Sequence, residues 1–390
     1  MSGDKDRLLI EDRCVDIKML HVVREGGGLG YPCGLMRLKG LLGAVEGVKE
    51  HVLLLGSQLL AEECESVGIE GAERLGVPGS SGVAGYFGIR RRVRELGDIQ
   101  IVSCDDVGLL WAANRAAKNA RKLLWLNELP VGRRLLWLRK FMNGRRGDHC
   151  RVVVSGEVMR NELARLGIPA GRVKIVGPAA DEGEIVRDEA VLGQKRVKWG
   201  AVGEDKFVVG LLSDRPYTSD TRLVSLAGGT SSLVVSHKLG RPWQMRVLVN
   251  AMHMHRDRSV DLNDEFGHLG LLVQEGGTSR GWEILEACDA VVVTGKGSGE
   301  SLAWACMSGK PMLVEGNARL RGMLSEVDGA EEMIFDEDDL RKPSDVLTVW
   351  AMDEKAKREA GELSKRVGEK LFGRMEQRAV YEGIVRGLVG

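Results

Sequence analysis

"DAVVVTGKGSGESLAWACMSGKPMLVEG", Asp289 to Gly316, sets three valines ahead of a turn with glycines at 295, 297 and 299. An apolar helix-like segment follows, then Gly309-Lys310-Pro311 and a second strand-like run, "PMLVEG". Strand, turn, helix and strand in this order make a βαβ unit of a parallel sheet. A helix start leaves backbone N–H groups free, and its dipole favours an anion. Lys296, Gly297, Ser298, Gly299 and Glu300 are therefore candidates for a phosphate cradle. Gly297 and Gly299 remove side chains that would block a diphosphate. Ser298 offers a hydroxyl to the ligand or to the helix as a cap, and Lys296 adds a point charge. The same glycines also suit an ordinary tight turn. Trp304 reads either as a packed residue beside Leu302, Cys306 and Met307 or as a stacking surface for a base.

Outward from this unit the chain alternates apolar runs with amphipathic segments. "IKMLHVV" (17–23), "HVLLLG" (51–56), "IQIVSC" (99–104), "KLLWLN" (122–127), "CRVVVSG" (150–156) and "VKIVG" (173–177) read as strands. A second series is "KFVVGLLS" (206–213), "SLVVSHK" (232–238), "HLGLLVQE" (268–275), "DAVVVTG" (289–295) and "PMLVEG" (311–316). Strands this apolar, alternating with helices, imply parallel sheets covered on both faces. The polar segment 186–206 reads as a linker. The expected division is 1–197, 198–355 and a C-terminal helix pair over 356–390. Two doubly wound domains in tandem place a cleft between the carboxyl ends of two sheets, where ligands bind.

Composition narrows the function classes. The 390 residues carry 56 basic and 56 acidic side chains, so bulk charge selects no partner. Seven cysteines, none in a C-x-x-C pair, read as reduced thiols rather than a disulfide scaffold. The charged N-terminal stretch lacks the apolar core of a signal peptide, and no apolar run approaches the ~20 residues that span a bilayer. A cytoplasmic protein is the expectation. No HExxH, Walker A or nucleophile elbow occurs. His253 and His255, two apart with no third ligand in view, do not make a metal site.

Four stretches together resemble the GT-B glycosyltransferases of the retaining "group 1", family 4-like, type. They are "REGGGLG" (24–30), "VVVSGEVMRNELARLGIPAGRVKIVGPAAD" (152–181), "WEILEACDAVVVTGKGSGESLAWACMSGKPMLVEG" (282–316) and the tail "FGRMEQRAVYEGIVRGL" (372–388). The resemblance implies two Rossmann-like domains, with the last helix crossing back to the first. It implies transfer of a sugar from a nucleotide-sugar donor to an acceptor hydroxyl, with retention at the anomeric carbon. The expected partners are that donor and a glycan, lipid or small-molecule acceptor, with no tightly bound cofactor and no metal. The family places two glutamates eight positions apart around the donor. Aligned on Gly309-Lys310-Pro311, these positions hold Lys296 and Trp304, while Gly297 and Gly299 match. Arg215 is the counterpart of the family's arginine after the first strand of the second domain, with no Lys-Gly after it. A GT-B scaffold that binds without transfer, and a sugar-nucleotide epimerase, are the alternative readings.

In the first domain, Gly28 lies in a glycine loop that can form an anion nest or merely connect strand to helix. Asp105 and Asp106 end a strand at the expected cleft. Each can orient an acceptor hydroxyl, act as a general base or cap a helix. Glu157, after "VVVSG", is open between a cap and a cleft residue. Residues 115–146 hold ten Lys and Arg against the single acid Glu128. Within them Arg133, Arg134, Trp137, Arg139 and Lys140 form an amphipathic basic helix. It suits an anionic membrane surface or is simply a solvated face over a packed stripe. No nucleic-acid module accompanies the charge, so no nucleic-acid partner is expected.

Overall fold

A computed structural model of the chain describes residues 17–24, 32–66, 68–75, 83–127, 129–180, 189–198, 206–213, 244–250, 271–274, 285, 287–294, 299–336, 339 and 341–389. The first domain holds strands β1 (Ile17–Arg24), β2 (Val48–Leu55), β3 (Glu73–Leu75), β4 (Ile101–Cys104), β5 (Arg121–Trp125), β6 (Cys150–Val154) and β7 (Val173–Ile175). Its helices are α1 (Pro32–Leu41), α2 (Gln58–Ser66), α3 (Val83–Leu96), α4 (Val107–Ala116), α5 (Gly132–Met142) and α6 (Glu157–Arg165). After α7 (Glu189–Lys198), the second domain holds β8 (Lys206–Ser213), β9 (Gln244–Asn250), β10 (Leu271–Gln274), β11 (Ala290–Thr294), β12 (Met312–Glu315) and β13 (Ile334–Phe335). Its helices are α8 (Glu300–Met307), α9 (Ala318–Leu324) and α10 (Arg341–Met352), and the chain closes with α11 (Glu354–Phe372) and α12 (Arg374–Val389).

The strand orders are β3-β2-β1-β4-β5-β6-β7 and β10-β9-β8-β11-β12-β13. Every pairing is parallel. Both sheets therefore follow the doubly wound 3-2-1-4-5-6 order, the first with one strand added. Order reverses between β1 and β4 in one sheet and between β8 and β11 in the other, and ligands bind at such switch points. The apolar runs of the sequence became strands because both faces of each sheet are covered. β4, β6 and β11 are buried almost throughout.

Several elements differ from the sequence reading. β3, β9 and β13 were not expected. "SLVVSHK" lies outside the described residues, and the strand beside β8 is instead Gln244–Asn250. The polar segment read as linker contains α7. Arg196 on α7 pairs with Asp289 at the start of β11, and the same carboxylate accepts the Val208 N–H at 2.8 Å. This helix is thus tied to the second domain. The chain passes from the first sheet to the second between β7 and β8, and the expected boundary at 197 falls within α7.

The second crossing is at Gly373. Ala180 pairs with Gly373 in an isolated parallel bridge, and Gly177 N–H donates to Gln377 Oε1 at 2.6 Å. The two interdomain connections thus brace each other. α11 packs on α8 through glycines: a Cβ on Gly361 would stand 2.6 Å from the Gly309 carbonyl, and one on Gly368 would stand 2.9 Å from Met307 Sδ. α12 packs against α1, where Arg378 donates to the carbonyls of Gly40 (2.7 Å) and Leu42 (3.2 Å). Those carbonyls lie at the helix end, where a cation is favoured. One buried apolar cluster joins β1 and α1 to α8, α11 and α12. Within it Arg37 is fully buried, 4.8 Å over the Trp125 ring, and donates to Asn127 and to the Val176 carbonyl.

Candidate functional site

Each sheet carries one switch point. In the second domain β8 and β11 end side by side, with Ser213 opposite Thr294 in register. α8 then begins at Gly299, which takes the N-cap position with φ +99° and offers no side-chain cap. An L side chain there costs on the order of 1–3 kcal/mol, so glycine is required by the backbone and not only by a ligand. A Cβ on Gly299 would also stand 3.6 Å from Met323 Cε and 3.8 Å from Pro178 Cγ. The helix start therefore opens beside the interdomain connection. Lys296, Gly297, Ser298, Arg215 and Gly28 lie outside the described residues. Glu300 opens the helix, and only its backbone is described.

Trp304 is 5% exposed and belongs to the apolar cluster, with Leu302, Cys306 and Met307. It packs the helix and presents no stacking face to the cleft. Glu315, unnoticed in the sequence, is a buried carboxylate at the carboxyl end of β12. Val314 pairs with Val293, so Glu315 stands beside Thr294, where the cradle begins. A lone acid closing an apolar strand was the signal for it.

In the first domain Asp105 and Asp106 follow β4 and are 5% and 8% exposed. Arg24, the last residue of β1, donates its backbone N–H to Asp105 Oδ2 at 3.2 Å. Asp106 caps α4 by accepting the Gly108 N–H at 2.7 Å on Oδ1. Its Oδ2 faces Arg24 Nη2 at 3.6 Å and Arg134 Nη1 at 3.2 Å. Both Asp106 oxygens are thus engaged. Arg24 is a partner of both aspartates that the sequence does not signal, because one arginine after an apolar strand carries no pattern.

The basic helix is α5. Arg134 pairs with Asp106 at 3.2 Å, with its side chain 53% exposed. Arg139 lies over Gly167, its Nε 2.8 Å from where a Cβ would stand. Arg133 and Lys140 are exposed, as are Val131 and Leu136 beside them. Trp137 is half-buried and stacks on Phe141 at 5.0 Å. Glu157 opens α6 and pairs with Arg160 at 2.6 Å.

Two further buried groups shape the chemistry. Burial pulls the Lys122 ammonium down to about 8, and it donates to the carbonyls of Ala117 and Ala120. Burial raises the thiols of Cys104, Cys150, Cys288 and Cys306, so they are inert as nucleophiles. Among the described residues there is no cluster of three metal-ligating side chains and no helix long and apolar enough to cross a membrane.

No family model and no curated protein matches the sequence. Solved structures do match. HepE of Anabaena, solved with UDP and glucose, is similar at TM-score 0.72 and 14% identity, over 95% of this chain and 100% of that one. A glycosyltransferase of Rickettsia africae is similar at TM-score 0.69 and 11% identity, over 96% and 99%. A UDP-GlcNAc 2-epimerase of Neisseria meningitidis, bound to UDP-GlcNAc, is similar at TM-score 0.60 and 13% identity, over 95% and 100%. With two doubly wound sheets, a parallel bridge between Ala180 and Gly373, and neighbours that span nearly the whole chain, this protein has the GT-B fold.

Proposed function

We propose that the chain is a glycosyltransferase that moves a sugar from a nucleotide-sugar donor to an acceptor hydroxyl. The observation that carries this reading is the α8 start. A left-handed Gly299 opens a helix without a side-chain cap at the switch point of the second sheet. The diphosphate would sit on the first-turn N–H groups, with Lys296 and Arg215 as point charges. Their positive charge would stabilise the leaving nucleoside diphosphate without a metal. Gly28 and its loop would approach the donor from the first domain. Asp105 would accept the proton of the acceptor hydroxyl or orient it. Glu315 would stand in for the missing family glutamates by receiving a hydroxyl of the donor. HepE, solved with UDP and glucose, supports UDP-glucose as the first donor to try.

The reading is tested by release of UDP from UDP-glucose in the presence of a cell extract that supplies acceptors. Turnover that falls about 100-fold or more in Asp105→Asn supports it. A second reading, a binding scaffold without transfer, is favoured by Lys296 and Trp304 at the positions of the family's glutamates. Tight UDP binding with no UDP release would select it. For the basic face of α5 we propose contact with an anionic membrane surface through Arg133, Trp137 and Lys140. Flotation with phosphatidylserine liposomes that survives the joint replacement of Arg133 and Lys140 by Ala would refute that contact.

A further inference from the structure

A cavity of about 400 Å³ lies between residues of the two domains. Both domains and both crossover helices wall it. Ser155, Gly156 and Val158 come from the start of α6, Met323 from α9, Lys370 from α11 and Gln377 from α12. Ser155 is 2% exposed, and its Oγ has no hydrogen-bond partner. A buried hydroxyl left unpaired costs about 1–3 kcal/mol, so its place at a cavity wall points to a partner that comes from solution. The helix that follows has Gly156 at its N-cap and no side-chain cap. Its first-turn N–H groups and the Ser155 hydroxyl thus meet at one cavity.

The remaining walls define the ligand. Gln377 is held by Gly177 N–H and the Leu371 carbonyl, so it is a fixed wall. The Glu157 carboxylate turns to Arg160, and Lys370 sits opposite, its ammonium on the Glu326 carbonyl. Val158, Leu371 and Val380 supply apolar surface. Three oxygens on one small anion match a hydroxyl, a helix start and a nearby ammonium. Met323, one wall of this cavity, stands between Gly156 and Gly299, within 4 Å of the Cβ position of each.

We propose that this cavity binds a small phosphate monoester with a short apolar tail, its phosphate on the α6 start and the Ser155 hydroxyl. Because its walls come from both domains, such a ligand selects one interdomain angle and acts as a regulator of cleft opening. The test is calorimetric titration with n-butyl phosphate, inorganic phosphate and n-butanol. The expected order of affinity is butyl phosphate above phosphate, with butanol silent, and saturating UDP leaves butyl phosphate binding in place. Ser155→Ala leaves the unliganded melting temperature unchanged or higher, since it removes an unpaired hydroxyl, and weakens butyl phosphate about tenfold. Lys370→Ala, at an exposed position, also weakens it. The proposal is overturned by absence of binding at millimolar concentration, or by equal affinity in both variants. Displacement of butyl phosphate by UDP would also overturn it, assigning the binding to the donor cradle. So would a lower melting temperature of unliganded Ser155→Ala, which would reveal a protein partner for the hydroxyl.

Discussion

Asp106 carries three interactions on two oxygens: the α4 cap and the ion pairs with Arg24 and Arg134. Asp106→Ala should therefore lose about 1–2 kcal/mol, most of it the cap, with Asp106→Asn losing less; urea unfolding of the three proteins checks this. Lys122 gives a pH signature. Its folded pKa of about 8 lies below its ordinary value of 10.5, so between these the unfolded chain binds more protons. Stability then rises with pH across that window, by up to about 3 kcal/mol. The measurement is unfolding free energy at pH 8 and 10.5, and in Lys122→Met the rise should shrink. The capping role of Asp106 was legible in the sequence as an acid ahead of a helix. Its two arginine partners were not, because Arg24 and Arg134 meet it only through the fold. Glu315 escaped for the same reason: nothing local ties it to the glycine turn.

Among the elements, α12 is held by a buried polar group as well as by apolar packing. Glu50 accepts from Gly43 N–H at 2.6 Å, faces His21 at 3.2 Å and Tyr381 Oη at 3.4 Å. Burial pushes the Glu50 carboxyl upward, but His21, Gly43 and Tyr381 outweigh it and hold it below 4.5. Its contribution to stability is present above the unfolded value and is lost as pH falls through the lower folded value. Burial, with the Glu50 charge beside it, raises the Tyr381 phenol well above 10, so the phenol stays a donor. Tyr381→Phe should cost about 1 kcal/mol and flatten the acid limb of the melting-temperature curve. The strands were legible from valine and leucine runs because each is buried on two faces. β3 and β13 are too short for a pattern, and β9 carries Arg246 among its apolar residues. α7 reads as linker because its polar and charged residues obscure a helical period. Its tie to the second domain is an ion pair that no local pattern announces.

At the scale of the molecule, the two domains are joined by chain crossings that pair with each other and by helices that pack through glycines. Gly368→Val should push α11 off α8, since the position already stands against Met307 and Cys306. The expected loss is about 1–3 kcal/mol, read as a lower thermal midpoint. The GT-B architecture was legible because order and spacing of four weak motifs run along nearly the whole chain. The glycine turn was harder to read, because the positions where the resembled family has two acids hold Lys296 and Trp304. Trp304 packs in the core, so the proposed site rests on the helix start at Gly299, Lys296 and Glu315. The central claim is that this helix start holds the diphosphate of a nucleotide-sugar. Calorimetric titration with UDP tests it most directly, on the unaltered chain and on Lys296→Ala and Gly299→Val. The account predicts binding that weakens about tenfold or more in each variant. No heat of binding at millimolar UDP, or equal affinity in all three proteins, would contradict it.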